Sequence, residues 1–465
     1  MKPVLSVDDM RAVDARALRE VPEEVLVERA GTAVATCALR MLGGTYGRRV
    51  VVVAGKGNNG ADGKVAAERL RRRGARVTVI EAADAPALIG TPGTVDLVID
   101  AAYGTGFRGE YRAPAVPLGI AVLAVDIPSG VDGDTGVACG APLRADVTVT
   151  FAALKPGLLQ GDGAALAGRV EVADIGLDTS GARTWLVEDL DRHLLPPRRR
   201  DAHKWQSALA VVAGSPGMTG AADLCARAAY RAGAGMVRLG VPGAGAAELP
   251  VGEAVGTVLA DRGWANEALA MAERCRAVVI GPGLGRHEAT GAEVRAVVAG
   301  APVPVVVDAD GLFALGQGDE VRLATVPAAG GATAGPARIL TPHDGEFARL
   351  AGSPPGPDRM GAARGLAARC GAIVLLKGPT TVVANPDGDV LLAASGSPRL
   401  ATAGTGDVLS GVIGAFVARG VPPHMAAALG AHVHGRAAAL GPPEGLMAGD
   451  LAELVARWLS GTGPS

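Results

Sequence analysis

The sequence contains few aromatic residues, since Phe, Trp and Tyr together make up 3% of its 465 positions. This scarcity argues against a protein that stacks single-stranded nucleic acid on aromatic rings. A strong charge of either sign is also missing: 45 Lys and Arg residues stand against 47 Asp and Glu residues, which gives 45 − 47 = −2. A nearly neutral chain does not suit the wrapping of duplex DNA. We therefore expect no nucleic-acid partner.

Long apolar segments are missing as well. Unbroken apolar runs reach six residues, as at 120–125, whereas a membrane-spanning helix needs about 20. The N-terminal residues MKPVLSVDDM lack the apolar core of a signal peptide. The 5 cysteines are scattered and form no CxxC pair, a pattern typical of reduced thiols in the cytoplasm. We expect a cytoplasmic protein without a membrane partner.

Hydrophobic residues make up 49% of the chain and charged residues 20%, which is typical of a globular protein. Ala-rich stretches alternate with short apolar runs, which lie at 50–54, 77–80, 95–99, 120–125, 147–151, 209–213, 277–280, 303–307, 373–376 and 381–384. Such runs are typical of strands buried on both faces of a parallel sheet, with helices between them. The sequence predicts an α/β protein.

One local pattern, an apolar strand followed by a glycine-rich turn and an Ala-rich helix, occurs twice. It is found at 50–63 (VVVVAGKGNNGADG) and at 208–221 (ALAVVAGSPGMTGA). Each segment is typical of the opening unit of a doubly wound sheet. The stretch 194–204 (LLPPRRRDAHK) between them has the composition of a linker. We predict two doubly wound domains, at 1–196 and 197–465.

The first turn matches the dinucleotide-binding fingerprint GxGxxG at 55–60. Taken alone, the motif favours a dehydrogenase, in which Glu81 would lie near the expected offset for a ribose contact. The loop also carries Asn58, Asn59 and Asp62. A pyrophosphate cradle relies on backbone N–H groups and avoids a carboxylate at the helix N-terminus, so these residues argue against that assignment.

Two aspartates, Asp100 and Asp126, end apolar runs at the sheet edge where α/β proteins place their ligands. The oxygen atoms of Asn59, Asp100 and Ser129 could converge on one cation. Hard oxygen ligands with few charges favour an alkali or alkaline-earth ion over zinc. The alternative is that Asn58 and Asp62 only cap a helix and that Asp126 starts a turn before Pro128.

The segments GKGNNGADG, VIDAAYGTGFRGE and AVDIPSGVDGDTG closely resemble the NAD(P)H-hydrate epimerase family, over roughly residues 5–195. The resemblance implies a potassium ion on Asn59, Asp100 and Ser129, and a catalytic role for Asp126. It implies that the hydrated nicotinamide nucleotide is bound by Asn58, Asn59, Gly60, Ala61, Asp62, Gly104, Thr105, Gly106, Phe107, Arg108, Gly109, Glu110 and Asp126. Ala61 stands where the family usually has a second glycine, and we expect binding to persist.

The segment LATAGTGDVLSG at 400–411 is the strongest single signal in the chain. Gly404, Gly406 and a helix that starts near Asp407 would present free backbone N–H groups at a positive helix end. An oxyanion or a transferring phosphate requires that arrangement. A carboxylate there can accept a proton from a substrate hydroxyl as the phosphate arrives. The alternative is a plain helix cap after a glycine turn.

Three further loops follow apolar strands. KGPTT at 377–381 could contact nucleotide phosphates, and GPGLG at 281–285 allows close approach of the backbone to a ligand. TPHDGE at 341–346 follows a third strand. Because the ends of parallel strands meet at one edge of a sheet, these four loops indicate a single ligand site. His432 and His434 are two positions apart on a predicted helix, so they point apart and are assigned structural roles.

Together with VVAGSPGMTGA and VDADGL, these motifs look like the ADP-dependent NAD(P)H-hydrate dehydratase family of the ribokinase-like superfamily, over roughly residues 200–460. The resemblance implies that ADP, with Mg²⁺, is held by Lys377, Gly378, Pro379, Thr380, Thr381, Ser397, Pro398, Arg399, Leu400, Ala401, Thr402, Ala403, Gly404, Thr405 and Gly406. It implies that the hydrate is held by Ala221, Gly283, His343, Asp344, Gly345, Glu346, Phe347, Ala348, Arg349 and the catalytic Asp407. The sequence departs from the family pattern at Trp205, Asp344 and Ala403.

We therefore hypothesise a bifunctional enzyme that repairs hydrated NADH and NADPH. A Rossmann-like N-terminal domain would interconvert the R and S hydrates. A ribokinase-like C-terminal domain would dehydrate the S hydrate and convert ADP to AMP and phosphate. Two alternatives stay open: a ribokinase-like kinase fused to a Rossmann dehydrogenase, and an N-terminal domain that only binds a ligand or a partner. We also expect a homo-oligomer.

Overall fold

The structure, a computed structural model, describes residues 1–91, 93–250, 252–318, 321, 323 and 335–461. The chain divides into two compact units, Lys2–Thr184 and Trp185–Ser465, the second of which also includes Met1. Each unit is a mixed α/β structure, as the alternating sequence pattern predicts. No helix within the described ranges is long and apolar enough to span a membrane.

The first unit contains short strands and two long helices. Its helices are α1 (Val7–Ala17), α2 (Glu23–Leu42), α3 (Asn58–Arg72) and α4 (Gly161–Leu166). Its strands are β1 (Lys2–Val4), β2 (Arg49–Ala54), β3 (Arg76–Glu81), β4 (Leu97–Ala101), β5 (Tyr111–Arg112), β6 (Ala121–Val125), β7 (Gly140–Ala141), β8 (Val147–Phe151) and β9 (Arg169–Ala173).

The main sheet of this unit has the order β3-β2-β4-β6-β8-β9, and all its neighbouring strands are parallel. Numbered along the chain, this is the order 2-1-3-4-5-6. The direction of winding therefore reverses between β2 and β4, at a topological switch point where doubly wound sheets bind ligands. Doubly wound sheets have two common strand orders. The Rossmann-like fold predicted from the sequence has the flavodoxin-like one.

Strand β2 shows why the apolar runs are continuous. Val50 and Val52 pack into the core that contains residues of α2 and α3, whereas Val51 and Val53 pack into a second core on the other side of the sheet. Because both faces are covered, alternate positions do not need polar side chains. Gly31 lets α2 approach α3 closely, since a Cβ there would lie 2.5 Å from the Val65 Cβ.

The second unit is larger. Its helices are α5 (Gly220–Arg231), α6 (Ala265–Ala272), α7 (Glu288–Gly300), α8 (Asp310–Ala314), α9 (Asp344–Ala351), α10 (Arg359–Cys370), α11 (Thr405–Ala418), α12 (Pro423–Ala439) and α13 (Ala448–Leu459). Its strands are β10 (Thr184–Leu186), β11 (Ala208–Val212), β12 (Met236–Pro242), β13 (Val255–Leu259), β14 (Ala277–Ile280), β15 (Val305–Val307), β16 (Arg338–Leu340), β17 (Ile373–Leu376), β18 (Thr381–Ala384) and β19 (Val390–Ala393).

The sheet of this unit runs in the order β10-β19-β18-β17-β16-β15-β14-β11-β12-β13. From β17 to β13 the neighbours are parallel, but β18 is antiparallel to both β17 and β19. The expectation that the run at 381–384 is a strand of a parallel sheet was therefore wrong. A four-residue turn, 377–380, joins β17 to β18 and leaves no room for a crossover helix.

Helix α11 is buried on almost every side, which explains its apolar sequence. Gly411 allows contact with α5, because a Cβ there would lie 2.2 Å from the Cys225 carbonyl oxygen. Gly414 allows contact with β14 in the same way, at 2.5 Å from a Val279 methyl group. The helix is thereby fixed against the sheet, and its first turn lies beside Asp308, which follows β15.

The predicted domain boundary after Pro196 falls inside the second unit, which begins at Trp185. In the segment 185–196, the Val187 N–H donates to the Leu392 carbonyl at 2.9 Å. The Asp189 carboxylate accepts hydrogen bonds from His432 at 2.8 Å and from Arg436 at 2.7 Å. These contacts bind the segment to the C-terminal sheet and to α12.

We expect a C-terminal fragment that begins at Arg183 to be more stable than one that begins at Pro197. The shorter fragment loses an edge strand and the hydrogen bonds of Val187 and His432, which together contribute about 2 kcal/mol. Denaturant unfolding of the two purified fragments measures the difference. Equal midpoints would instead place the folding boundary at Pro196.

Candidate active sites

The glycines of the first turn have different structural roles. A Cβ on Gly55 would lie 1.9 Å from the Ala102 carbonyl oxygen, and one on Gly60 would lie 1.9 Å from the Gly55 carbonyl oxygen. These two glycines therefore permit close packing of the turn against the chain after β4 and against α3. A Cβ on Gly57 would meet nothing within 4 Å, which leaves the N-terminus of α3 open to a ligand.

Asp126 follows β6 with a left-handed backbone (φ 68°), a strained conformation for a residue other than glycine. Its buried carboxylate forms an ion pair with Lys155, whose Nζ lies 2.7 Å from Oδ1. Thr150 Oγ1 and the Thr105 N–H donate hydrogen bonds to it, each at 3.2 Å. Burial alone would raise the pKa of Asp126, but Lys155 and these hydrogen bonds hold the pKa below its ordinary value. Asp126 is therefore ionised at neutral pH.

Asp62, in the second turn of α3, has the opposite protonation state. Burial, reinforced by repulsion from Asp126, raises the pKa of Asp62 to about 8. The side chain is therefore protonated at neutral pH and does not place a negative charge near the N-terminus of α3. Two carboxyl groups with pKa values shifted in opposite directions are typical of acid–base chemistry.

Asp100 and Ser129, two of the three proposed cation ligands, are in direct contact. The Ser129 hydroxyl donates to Asp100 at 2.6 Å, and the Ser129 N–H donates to the other carboxylate oxygen at 2.9 Å. Burial raises the pKa of Asp100 in spite of these hydrogen bonds. Asn59 lies instead beside Gly104 and Asp126, because a Cβ on Gly104 would be 3.3 Å from Asn59 Oδ1 and 3.1 Å from Asp126 Oδ2.

Asn59, Asp62 and Asp126 line a cavity of about 430 Å³, whereas Asp100 and Ser129 are not part of its lining. The predicted substrate-binding residues that line it are Asn58, Asn59, Asp62, Gly104, Thr105, Gly106, Phe107 and Asp126. The predicted residues Gly60, Ala61, Arg108, Gly109 and Glu110 are not part of its lining. Lys155 and Asp14 also line it, although neither was predicted from the sequence. For Lys155 the available signal was a lysine inside the otherwise apolar stretch FAALKPGLL.

Ala61, which stands where the family usually has a second glycine, lies in the first turn of α3. Its backbone is outside the left-handed region, so a methyl group causes no strain there. The first turn of the helix is therefore kept with alanine at this position.

Three aromatic rings lie together beside this cavity, in a chain with only 5 Phe and 4 Tyr residues. The Tyr103 ring centroid is 4.5 Å from that of Phe107 and 5.0 Å from that of Tyr111. Tyr103 and Phe107 line the cavity. They provide an aromatic surface against which the ring of a ligand can pack.

In the second unit, Gly404 precedes α11 with a left-handed backbone (φ 90°). A Cβ there would also lie 2.6 Å from a Leu224 methyl group, so conformation and packing both favour glycine. Ala403, the departure from the family pattern, lies outside the left-handed region. Alanine is therefore compatible with the backbone of this loop.

Asp407 lies in the first turn of α11. Burial, followed by repulsion from Asp308, raises the pKa of Asp407 to about 7, although Lys377 opposes the shift. A general base needs a pKa near the working pH, and Asp407 has one. The free N–H groups of the same helical turn favour a phosphate close by.

Asp308 is 1% exposed and links two elements of this site. Its carboxylate forms an ion pair with Lys377 at 2.6 Å and accepts a hydrogen bond from the Ser410 hydroxyl at 2.7 Å. A Cβ on Gly406 would lie 3.4 Å from Lys377 Nζ, so the lysine lies against the first turn of α11. Lys377 was predicted from the sequence to bind the nucleotide, whereas no role was predicted for Ser410 or for Asp308, which lies in the motif VDADGL.

The residues predicted to hold the hydrate in this unit lie on separate elements. Gly283 lies against the start of α5, since a Cβ on it would be 3.0 Å from the Ala221 Cβ. His343 caps α9, and its Nδ1 accepts the N–H groups of the second and third helical residues, at 3.0 and 3.3 Å. The Arg349 guanidinium lies 3.7 Å from the centre of the Phe313 ring. Asp344 pairs with Arg359 at 2.9 Å.

Several side chains of the predicted nucleotide segment stabilise the protein itself. Arg399 donates to the Ala439 and Gly441 carbonyls, each at 2.9 Å, and so caps α12. Thr405 Oγ1 donates to the Leu400 carbonyl at 2.9 Å. His434 Nε2 binds the Thr405 carbonyl at 2.9 Å, and burial lowers the pKa of this imidazole to about 4. These contacts fix the loop before α11 in one conformation.

Comparison with known proteins identifies the family of the two units. The family model described as NAD(P)H-hydrate dehydratase matches residues 209–459, and that of the YjeF-related protein N-terminus matches 23–91 and 80–157. The bifunctional NAD(P)H-hydrate repair enzyme of Mycobacterium tuberculosis is 41% identical over 461 residues, which cover 92% of each chain. This chain belongs to the bifunctional NAD(P)H-hydrate repair enzymes. The corresponding enzyme of Escherichia coli is 35% identical over 84% of this chain and 80% of its own length.

Solved structures agree with this assignment for the second unit. An ADP/ATP-dependent NAD(P)H-hydrate dehydratase from Bacillus subtilis, co-crystallised with ATP and Mg²⁺ and soaked with CoA, is 31% identical, with a TM-score of 0.50. It covers 59% of this chain and 98% of its own. A ribokinase-like protein from Enterococcus faecalis, 19% identical with a TM-score of 0.52, covers 60% of this chain and 97% of its own and shows the shared fold.

Membership of the repair-enzyme family decides between the hypotheses that the sequence left open. The chain is a bifunctional NAD(P)H-hydrate epimerase and dehydratase, and neither a kinase fused to a dehydrogenase nor a ligand-binding module describes it. Glu81, which a dehydrogenase would use for the ribose, pairs with Lys64 at 2.7 Å.

Proposed function

We propose that Asp126 and Lys155 form the centre of the epimerisation site. In the hydrated nicotinamide, the hydroxyl on C6 is next to the ring nitrogen, whose lone pair can expel it. Loss of the protonated hydroxyl as water leaves a planar iminium carbon, and return of water to its other face produces the other epimer. A carboxylate held in its ionised form stabilises this cation. The buried ion pair of Asp126 with Lys155 is the observation that supports this role.

Asn59, Asp100 and Ser129 would hold a potassium ion. They offer amide, carboxylate and hydroxyl oxygens, the donor set of a hard cation. The fit is supported by Asn59, whose buried side-chain nitrogen has no hydrogen-bond partner within the described ranges. Because an amide can be turned to exchange its nitrogen and oxygen, this group is free to serve an added ligand. The ion would supply a positive charge beside the buried Asp100.

In the second unit, Asp407 serves as the general base of dehydration. It takes the proton of the C6 hydroxyl while the hydroxyl oxygen attacks the β-phosphate of ADP. AMP leaves with the electron pair of the broken P–O bond. The ring nitrogen then expels phosphate, and loss of a proton from C5 restores the double bond of NADH or NADPH. ADP is thereby converted to AMP and phosphate.

Lys377 and the first-turn N–H groups of α11 would contact the nucleotide phosphates. The Bacillus subtilis relative, co-crystallised with ATP and Mg²⁺, supports the use of both a nucleotide and Mg²⁺. Within the described ranges, no group of three or more His, Cys, Asp or Glu residues could hold a metal ion. Mg²⁺ is commonly bound through substrate phosphates with its own waters, so it would enter with the nucleotide.

An absorbance assay at the reduced-nicotinamide band tests the proposed function. With mixed epimers, K⁺ and ADP, we expect all the hydrate to return to NAD(P)H, because epimerisation replenishes the S form. Without ADP, absorbance should not change. Replacing K⁺ by a large organic cation should slow epimerisation. Only the S hydrate that is present at the start should then be converted to NAD(P)H at the full rate. Complete conversion at an unchanged rate without K⁺ would contradict the potassium site.

We further propose that the enzyme is cytoplasmic and acts as a homo-oligomer on small-molecule substrates. The scattered cysteines support the location. Light scattering on the purified chain measures the mass in solution, and a mass of about 46.3 kDa, that of one chain, would contradict the oligomer.

A further inference from the structure

Helix α1 carries a carboxyl group on its buried face. Val7, Met10 and Asp14 are separated by three and four positions, so they lie on one side of the helix. Val7 and Met10 are buried, and Asp14 is part of the wall of the epimerisation cavity. Asp14 is half-buried, so its carboxyl group is available to a molecule in the cavity.

The position of α1 is fixed by contacts at its start and along its apolar face. Ser6 caps the helix, and the Val7 N–H donates to the Asp134 carboxylate at 2.8 Å. Met10 and Val13 pack with Ala153, two residues before Lys155. Asp14 is therefore held in a defined position relative to the Lys155–Asp126 pair.

Asp14 lines the same cavity as Lys155 and Asp126, and the charges of both act on its carboxyl group. Burial raises the pKa of Asp14, Lys155 opposes this shift, and Asp126 adds to it. The ionisable residues that line the same cavity are Glu23, Asp62, Asp126 and Lys155. On its own helix, Asp8 and Arg11 pair with each other in solvent. Asp14 thus places a protonatable group on a different wall of the cavity from the wall that carries Asp62.

We propose that Asp14 is a further catalytic residue of epimerisation, an inference that rests on the proposed epimerisation site. Its protonated form gives a proton to the C6 hydroxyl. The C–O bond breaks, water leaves with its electron pair, and the nitrogen lone pair forms the iminium bond. When water attacks the other face of C6, the electron pair returns to nitrogen and the proton of that water passes to solvent, from which Asp14 takes a proton back. No net proton or electron is consumed.

The test starts from the pure R hydrate and the full-length chain without ADP, so that dehydration does not remove product. Chromatography then measures the appearance of the S hydrate. We expect Asp14→Asn to lower kcat by about 10²–10⁴-fold with little change in KM, and to remove the alkaline limb of the pH profile. Asp8→Asn is the matched control, since Asp8 is on the same helix with its side chain 88% exposed, and it should leave the rate and the profile unchanged.

Three results would overturn the assignment or separate it from the site on which it rests. Turnover of Asp14→Asn within a few-fold of wild type overturns it, as does an alkaline limb that persists in Asp14→Asn but disappears in Asp62→Asn. If Asp126→Asn also fails to slow epimerisation, the proposed site itself is wrong. Should Asp14→Asn lower the melting temperature, Asp14→Glu decides: a shifted alkaline limb supports the role, and an unshifted limb overturns it.

Discussion

Replacing Asp407 by Asn is expected to reduce dehydration of the S hydrate by about 10²–10⁴-fold while epimerisation continues. Asn keeps the shape of the side chain but cannot take the hydroxyl proton. Affinity for ADP should stay the same or rise, because a negative charge near the phosphates is removed. Absorbance with pure S hydrate measures kcat, and a titration with ADP measures KM.

In the wild type, kcat should rise with pH through about 7, where Asp407 loses its proton, and the Asp407→Asn variant should lack this rise.

Asp450 provides the matched control for this substitution. It is the third residue of α13, as Asp407 is of α11, and its carboxylate accepts the Met447 N–H at 3.1 Å. Asp450→Asn therefore tests the loss of a first-turn carboxylate, and it should leave both activities unchanged. If Asp407→Asn turns over within a few-fold of wild type, Asp407 is only a helix-terminal residue and the phosphorylation mechanism fails.

Separating the Asp126–Lys155 pair is expected to abolish epimerisation and to destabilise the first unit. Lys155→Met leaves a buried carboxylate uncompensated, and Asp126→Asn leaves a buried ammonium uncompensated, each at a cost of about 3–5 kcal/mol. The double variant removes both charges and should regain much of that stability, yet it should stay inactive because the cation-stabilising carboxylate is gone. Denaturant unfolding and the epimer ratio, measured on the same preparations, separate the two effects.

Lys64→Met is the matched control for Lys155→Met, because Lys64 belongs to an exposed ion pair in the same unit. Lys64 and Glu81 lie 2.7 Å apart with side chains 47% and 45% exposed. Lys64→Met should therefore change stability by less than about 1 kcal/mol and leave epimerisation intact. Two results would count against the proposal: unaffected epimerisation in Asp126→Asn, or a double variant as unstable as the sum of the single ones.

The sequence by itself determined the class of fold, the family and the loops that carry the sites. These features are local: an apolar run of four to six residues is enough to indicate a buried strand, and a glycine turn after it indicates a ligand loop. Several strands escaped prediction, two of them for the same reason. Met236–Pro242 contains Arg238 and Gly240, and Val255–Leu259 is exposed along most of its length, so neither is a continuous apolar run.

Only the tertiary structure decided which side chains meet and which of them are charged. Lys155 is 29 positions from Asp126, and Ser410 is 102 positions from Asp308, so no spacing in the sequence predicts these contacts. The ionisation of Asp62 and Asp126 is likewise a tertiary property. Both are buried aspartates, but Lys155 lies against Asp126 and holds its pKa low, whereas burial, reinforced by the charge of Asp126, raises the pKa of Asp62 to about 8. Burial and neighbouring charges act through space, and the chain brings those neighbours together only when it folds.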